Sequence, residues 1–156
     1  MPLPLLLDSN ILSKIMRPAL EEHRPIVVSI QRLLEDIRFE VCVPEIVDYE
    51  HRRKLLHLTQ RPHQARKWAH EALHVLDRLA SVGYVPLTTD TMRLAASIWA
   101  HTRAQGQSRS PEENLDVDVI LAAQARQVGG HIVTTNDKHF RNIAEIFDWK
   151  TFHEDP

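Results

Sequence analysis

Acidic and amide side chains stand at four places where elements of this chain end or where a helical face is otherwise apolar. They are Asp8, Glu50, Asp118 and the adjacent pair Asn136 and Asp137. Clustered carboxylates repel one another, so a group of three or four is tolerable only around a divalent cation. Hard oxygen ligands favour Mg²⁺ or Mn²⁺ over zinc, and such ions suit in-line displacement at phosphorus. These residues predict a metal centre for phosphodiester chemistry, provided that the fold brings them together.

Each of these acids also has a simpler structural interpretation. Asp8 is a good N-cap for the helical pattern that follows it. Asp116 and Asp118 both fall in the first turns of a helix, where the helix dipole favours anions. Glu50 can pair with a basic residue one turn later, and Asp137 can cap a short helix. The metal centre is favoured because all the positions fall at topologically matched places.

The hydrophobic pattern predicts short strands that alternate with helices. Strands are expected at Leu3–Leu7, Phe39–Val43, Tyr84–Leu87 and His131–Thr134, with Trp149–Phe152 as a last edge strand. Helical spacing predicts helices at Ile11–Met16, from Pro25 to Ile37, at Glu45–Leu58, at His63–Ser81, from Thr88 to Ala104 and at Leu115–Val128. This alternation implies right-handed βαβ crossovers and a central parallel sheet. The carboxyl ends of parallel strands open into the crevice where ligands bind.

Glycine and proline mark where several of these elements end. Gly83 is the expected C-cap of the long fourth helix, and Gly129 and Gly130 close the Ala-rich helix. The run Ser110-Pro111-Glu112-Glu113 has the form of a capping box with proline at the first helical position. We expect the long loop before it to lead directly into the helix that carries Asp118.

Length and charge exclude several classes of protein. The chain has 156 residues, 43% of them hydrophobic, which suits one domain over residues 1–156 with its own core. A net charge of -2 argues against coating nucleic acid by bulk charge, although an enzyme with a local basic patch remains compatible. The single cysteine, Cys42, is expected to be a small buried hydrophobe in a reduced compartment. Neither a basic leader with a cleavage site nor a membrane-length apolar run is present, so we expect a cytoplasmic protein without membrane contact.

His70, Glu71 and His74 form the sequence motif H-E-x-x-H, which indicates a second possible chemistry, zinc-dependent hydrolysis. On a helix that pattern can hold zinc between two imidazoles, with the glutamate as general base. The apolar stripe of this helix runs through Ala69, Ala72 and its neighbours, so both histidines are expected to face solvent. No third ligand follows at the spacing of zinc proteases. A zinc metallohydrolase is therefore kept as an alternative to the carboxylate site.

The chain resembles the PIN-domain ribonucleases, the family that includes the VapC-type toxins of toxin–antitoxin pairs. The resemblance runs from Leu3 to about Trp149 and rests on four short segments: LLLDSNIL, VPEIVDYEHRRKL, DVDVILAAQA and IVTTNDKHF. Their order and spacing agree with the family, which makes the combination specific although each segment alone is weak. The resemblance implies a three-layer α/β/α fold around a mostly parallel sheet of four or five strands.

The resemblance also assigns roles to the acids. In that family an acidic quartet holds Mg²⁺ or Mn²⁺ and cleaves RNA hydrolytically. By position, Asp8 and Asp118 would be direct metal ligands, and Glu50 would polarise water or hold a second ion. The fourth position falls on Asn136 or on Asp137, the latter a further possible ligand, and the spacing does not decide between them.

Further residues and partners follow from the same resemblance. Ser9 and Thr135 match small hydroxyl residues that support the site, and Asp116 is an additional acid two residues before Asp118. Three basic residues directly after Glu50 would touch the RNA backbone, or else simply form a charged helix surface: Arg52, Arg53 and Lys54. The family implies an RNA substrate, a small antitoxin protein and a homodimer. A PIN fold kept only as a non-catalytic protein-interaction module is the other alternative.

Overall fold

A computed structural model describes residues 1–106 and 112–152 of the chain, the side chains of residues 112–115 excepted. Its strands are β1 (Leu3–Leu7), β2 (Phe39–Pro44), β3 (Tyr84–Val85) and β4 (His131–Val133). Its helices are α1 (Ser9–Ile15), α2 (Arg24–Glu35), α3 (Glu45–Leu58), α4 (Gln64–Val82), α5 (Thr89–Ala104) and α6 (Glu112–Val128). Short 3-10 turns lie at Glu21–His23, Asp137–His139 and Trp149–Phe152.

The four strands form one parallel sheet in the order β3-β2-β1-β4. Leu6 of β1 pairs with Cys42 on one side and with Ile132 on the other. The helices complete a three-layer α/β/α arrangement, which confirms the predicted fold class with four strands. Because all strands run the same way, residues that follow β1 and β4 emerge at the same edge of the sheet.

Strand β1 is central to the hydrophobic core. Leu5, Leu6 and Leu7 are all fully buried, so the strand is covered on both faces, as its unalternating apolar sequence predicts. Burying one leucine side chain contributes about 1.5–3 kcal/mol, so these three residues hold the strand firmly in register. The core is completed by fully buried helical and loop side chains, among them Leu33, Leu76, Leu121 and Phe140.

The prediction of a last edge strand is wrong. Residues Trp149–Phe152 form a 3-10 turn. The Phe152 ring packs edge-on against Phe39 with ring centroids 5.6 Å apart, and its carbonyl accepts a 2.8 Å hydrogen bond from Arg32 Nη1. Side-chain packing and a bond to α2 therefore hold this segment instead of a strand ladder.

Helix α2 ends earlier than its apolar spacing predicts. The helix stops at Glu35, Asp36 is extended, and Ile37 is 93% exposed rather than part of the buried stripe. The Asp36 carboxylate accepts hydrogen bonds from the backbone N–H and the Nε of Arg38. This local pairing offers the backbone an alternative to another helical turn.

Two strands are shorter than predicted because polar groups interrupt their ladders. Strand β3 ends at Val85, and the N–H of Leu87 donates to the Glu45 carboxylate. Strand β4 ends at Val133, and the Thr134 hydroxyl turns toward the carboxyl edge of β1. The second interruption builds the site described below.

Gly129 and Gly83, both predicted to end helices, are glycine for different physical reasons. Gly129 has a φ of +65°, the left-handed conformation expected after a helix, whereas Gly83 is extended at -160°. A Cβ on Gly83 would strike the backbone of Val41, so glycine is needed there for close approach. The capping box at residues 110–113 lies outside the described residues and side chains. Within the described part of the chain, no helix is both long and apolar enough to cross a bilayer.

Candidate metal centre

The site is built on Asp8, which follows β1 at the carboxyl edge of the sheet. Its backbone N–H donates to the carbonyl of Val133, so the strand pairing itself fixes the position of Asp8. The side chain is only 5% exposed, and its Oδ1 accepts a 2.7 Å hydrogen bond from the Ser9 N–H. Asp8 therefore caps α1, as its simpler interpretation predicts, while the carboxylate remains at the sheet edge where a ligand would bind.

Thr134 is the second fixed point of the site. Its hydroxyl donates to Asp8 Oδ2 at 2.7 Å and accepts from the N–H of Asn136 at 3.0 Å. Asn10 Nδ2 lies 3.4 Å from the same hydroxyl, and Asn10 Oδ1 accepts from the Thr135 N–H. The loop after β4 is thereby tied to the loop after β1 through one buried hydroxyl.

Asp118 approaches from α6. The residue is 8% exposed, and its Oδ2 lies 3.5 Å from Nδ1 of His139 in the turn after β4. His139 also lies close enough to Asp8 for its charge to act on that carboxyl group. His139 thus connects Asp8 and Asp118 electrostatically, although the two acids come from opposite ends of the chain.

Helix α3 contributes Glu50 and His51 to the surroundings of Asp8. The Glu50 side chain is 16% exposed and pairs with Lys54 Nζ at 3.1 Å, the one-turn pairing that the simpler interpretation predicts. His51 is buried, and its Nε2 donates to the Ser9 carbonyl at 2.9 Å, since a carbonyl can only accept. Burial lowers the pKa of His51, which favours the neutral imidazole, and the hydrogen bond to the Ser9 carbonyl fixes its orientation.

The electrostatics of Asp8 single it out from the other carboxylates. Burial raises the pKa of Asp8 above its ordinary value of 3.8, and the nearby charge of Glu50 raises it further. Hydrogen bonds from Thr134 and Ser9 and the charge of His139 act in the opposite direction without reversing the shift. A buried carboxylate that is held by neutral donors and faces a second acid is one that a bound cation would stabilise.

Four other predicted site residues are exposed, unlike Asp8 and Asp118. Asn136 and Asp137 are both exposed, and the Asn136 N–H contacts Thr134 rather than Asp8. Thr135 is exposed and contributes a backbone N–H to Asn10. Asp116 is exposed in a groove beside Trp99. The choice between Asn136 and Asp137 therefore stays open.

The basic residues after Glu50 are engaged within the protein. Arg52 bridges Asp48 at 2.9 Å and Asp77 at 2.8 Å and so joins α3 to α4. The Arg53 guanidinium lies over the Tyr49 ring, 5.1 Å from its centroid. These contacts support the interpretation as a charged helix surface, and contact with RNA stays a prediction.

The H-E-x-x-H motif lies on the solvent face of α4. His70, Glu71 and His74 are all exposed, as the apolar stripe predicts, in a shallow groove that also contains Arg66 and Lys67. As the described residues form it, this groove does not enclose the motif in the way that a catalytic zinc site needs.

Three residues of the site were not predicted from the sequence: Thr134, His139 and His51. Thr134 could have been found from the strand register, because pairing Leu7 with Val133 places the next residue of β4 beside Asp8. The two histidines carry no comparable signal, since nothing in their spacing marks them among ten histidines.

The donor chemistry fits a hard divalent cation. Asp8, Glu50 and Asp118 offer carboxylate oxygens, the ligand type that Mg²⁺ and Mn²⁺ prefer. Among the described residues, no three histidine, cysteine or acidic side chains already converge into a ligand set. Glu50 and Asp118 instead face Lys54 and His139, so an arriving cation would replace these internal partners.

Comparison with known proteins places the chain in a family. The PIN domain family model matches residues 5–146, so this protein belongs to the PIN-domain family. The match covers all four segments on which the sequence resemblance rests, and it confirms that resemblance. Comparison with curated proteins gives no significant match.

Solved structures share the fold at low sequence identity. The crystal structure of FitAcB from Neisseria gonorrhoeae is 23% identical with a TM-score of 0.70, covering 93% of this chain and 97% of that one. DNA-bound VapBC from Salmonella typhimurium is 20% identical with a TM-score of 0.68, covering 94% and 98%. VapBC2 from Rickettsia felis, bound to a DNA fragment from its promoter, is 13% identical with a TM-score of 0.69, covering 93% and 98%. At these identities the likeness shows a shared fold over nearly the whole of each chain.

Proposed function

We propose that this PIN-domain protein is a Mg²⁺- or Mn²⁺-dependent endoribonuclease and the toxin of a toxin–antitoxin pair. The observation that carries the proposal is the buried Asp8 carboxylate, held by Ser9 and Thr134 at the sheet edge with Glu50 and His139 in electrostatic range. Family membership supports the nuclease class, and the fold likeness to FitAB and VapBC chains supports the toxin assignment.

In this mechanism Asp8 and Asp118 would hold the metal, and Glu50 would polarise the attacking water or hold a second ion. The bound ion supplies Lewis-acid stabilisation of the phosphodiester and lowers the pKa of water at the site. The chain's own residues position these groups. Thr134 and the Ser9 N–H fix both oxygens of Asp8, and neutral His51 locks α3 to the Ser9 carbonyl beside Glu50.

His139 has a separate task in the proposed site. Its Nδ1 lies 3.5 Å from Asp118 Oδ2, so the imidazole helps to position that carboxylate. With a cation held by Asp8 and Asp118, His139 would be the imidazole beside the site that could donate a hydrogen bond to a phosphate oxygen of the RNA.

Cleavage of single-stranded RNA tests the proposal directly. We expect the wild-type protein to cut RNA with added Mn²⁺ and to stop when a chelator is added. Asp8→Asn and Asp118→Asn should each abolish cleavage while the circular dichroism spectrum stays native. His74→Ala, an exposed change in the H-E-x-x-H motif, is the matched control and should keep full activity. Unchanged cleavage in either aspartate variant would refute the assignment, and cleavage lost only in His74→Ala would favour the zinc hydrolase.

The partners follow from the same proposal. We expect a small antitoxin protein encoded beside this chain, a homodimer as the assembled toxin, and activity in the cytoplasm, where the RNA substrate is. Coexpression with the product of a neighbouring small reading frame should give a stable complex that no longer cleaves RNA. A protein that stays fully active with every neighbouring product would contradict the toxin assignment while leaving the nuclease assignment intact.

A further inference from the structure

A small polar cavity lies away from the carboxylates, between α5, the end of α6 and the segment at residues 142–143. Its volume is about 180 Å³, enough for one small polar molecule or a few waters. Its polar lining consists of Ser97, His101, Thr102, Arg126 and Asn142. Apolar side chains complete the walls, and none of the residues that line it is acidic. The cavity thus offers hydrogen-bond donors and positive charge without a competing anion.

The Thr102 side chain is a buried polar group in the wall of this cavity. Thr102 is only 6% exposed, and its Oγ1 is the buried side-chain polar atom that finds no hydrogen-bond partner in the described part of the chain. Buried hydroxyls in folded proteins are almost always partnered, because the lost hydrogen bond to water is not otherwise recovered. A partner supplied from outside the chain would satisfy it.

Arg126 supplies the charge at the same cavity. Its exposed side chain makes no ion pair or ring contact with any described residue, whereas Arg52 and Arg38 are both paired with acids. Arg126 and Asn142 also line a larger neighbouring hollow of about 520 Å³, which contains Glu145. The Glu145 carboxylate makes the larger hollow less suited to an anion. In the smaller cavity no lining carboxylate competes for the Arg126 guanidinium.

We propose that this cavity binds a small oxyanion of the phosphate class, held by the Thr102 hydroxyl and the Arg126 guanidinium. Arginine presents several N–H donors in a planar fork that matches phosphate oxygens, and hydrogen bonds to a charged group are the strong ones. His101 and Asn142 provide further donors at the rim. The proposal does not depend on the nuclease assignment, because none of the acids of the metal centre lines this cavity.

Thermal unfolding and calorimetry with inorganic phosphate test the proposal on the full chain. We expect saturable binding of phosphate and a melting temperature that rises with its concentration, because a ligand that binds only the folded state stabilises it. Arg126→Gln should weaken phosphate binding about tenfold or more. Thr102→Val should also weaken it, while raising the melting temperature in phosphate-free buffer because an unpartnered hydroxyl is removed. Arg93→Gln, an exposed change on the same helix α5, is the control and should bind like the wild type.

The outcomes separate the possible sources of the anion. Tighter binding of adenosine 5′-monophosphate than of phosphate would identify a nucleotide phosphate, and the reverse would identify the free anion. Absence of saturable binding of either probe, or equal binding by the wild type and Arg126→Gln, would overturn the proposal and leave ordered water as the partner of Thr102. Measuring RNA cleavage by Arg126→Gln in parallel keeps the two proposals apart, because we expect it to be unchanged.

Discussion

The buried Asp8 carboxylate lowers the stability of the fold and is also the metal ligand that we propose. Its carboxylate is almost completely buried, is held by uncharged donors and lies near a second acid. Functional sites commonly keep such unfavourable groups, and replacing them then stabilises the fold while removing activity. The hydrogen bonds around Asp8 allow this to be tested with a nearly isosteric amide.

We expect Asp8→Asn to raise the free energy of unfolding by about 1 kcal/mol in chelator-treated buffer while it abolishes RNA cleavage. The amide oxygen can keep the Ser9 N–H bond, and the amide NH₂ can donate to the Thr134 hydroxyl, which must then turn its own proton away from residue 8. We expect removal of the buried negative charge to outweigh the loss of that one acceptor. Urea unfolding of both proteins measures the difference. Asp137→Asn removes an exposed carboxylate and should leave stability unchanged. A large loss of stability in Asp8→Asn would contradict this account of the buried charge.

Thr134 provides a second test at the residue scale. Thr134→Val keeps the side-chain shape but removes the donor to Asp8 and the acceptor for the Asn136 N–H. Leaving such groups buried and unpaired costs about 1–3 kcal/mol, so both stability and RNA cleavage should fall. Thr134→Ser retains the hydroxyl and should restore most of the cleavage. A valine variant with native stability and activity would show that this hydroxyl does not organise the site.

The pairing of β1 with β4 is the element-level feature on which the site depends, because it places Thr134 and His139, which follow β4, near Asp8. Gly130 precedes β4 and touches β1, where an added Cβ would lie 2.7 Å from the Pro4 carbonyl and 2.8 Å from Leu6 Cδ1. Both contacts are with the most buried strand of the protein. The approach of these strands therefore depends on the missing side chain.

We expect Gly130→Ala to destabilise the protein by about 1–3 kcal/mol, because the strands must move apart to admit the methyl group. Gly106→Ala is the matched control, since Gly106 has a φ of +61° but no atom of the described residues lies within 4 Å of the place that its Cβ would take. The control should show only the smaller penalty of about 1 kcal/mol for a left-handed alanine. Chemical denaturation of both variants measures the contrast. Equal destabilisation would mean that backbone conformation, and not strand contact, is what Gly130 provides.

At the scale of the whole molecule, Cys42 reports on global opening. It lies in the middle of β2, is 3% exposed, and burial raises the pKa of its thiol to about 11. The thiolate is the reactive form, so the native thiol is protected by both burial and protonation. Because the pKa of the folded protein lies above the ordinary value of 9.0, the unfolded chain loses the thiol proton at a lower pH than the folded protein does. Stability should therefore fall as the pH rises from 9 to 11.

We therefore expect iodoacetamide to modify Cys42 in the native protein at least about a hundredfold more slowly than in urea, since reaction requires the sheet to open. Mass spectrometry of the alkylated chain over time gives both rates. Melting temperatures should fall as the pH rises from 9 to 11, and Cys42→Ala should lose part of that dependence. Rapid labelling of the native protein at neutral pH would show that β2 is less buried than described.

The sequence predicted the features that depend on regular periodicity. The apolar run of β1 and the Ala-rich pattern of α6 gave the parallel sheet and the places of Asp8 and Asp118. It could not predict features that arise from contacts distant in the chain. The exposed Ile37 follows from a local turn at Asp36, and the 3-10 turn at Trp149 from packing against distant rings. The pairing of Asp118 with His139 likewise exists only once the loop after β4 has folded back.

The central claim is that Asp8 and Asp118 belong to one cation site, and direct binding of Mn²⁺ measured by electron paramagnetic resonance tests it most directly. We expect the wild-type protein to deplete the signal of free Mn²⁺ in a saturable manner. Asp8→Asn and Asp118→Asn should each lose that binding while remaining folded, and His74→Ala should keep it. Mn²⁺ binding that survives in both aspartate variants, or that is lost in His74→Ala alone, would contradict the account.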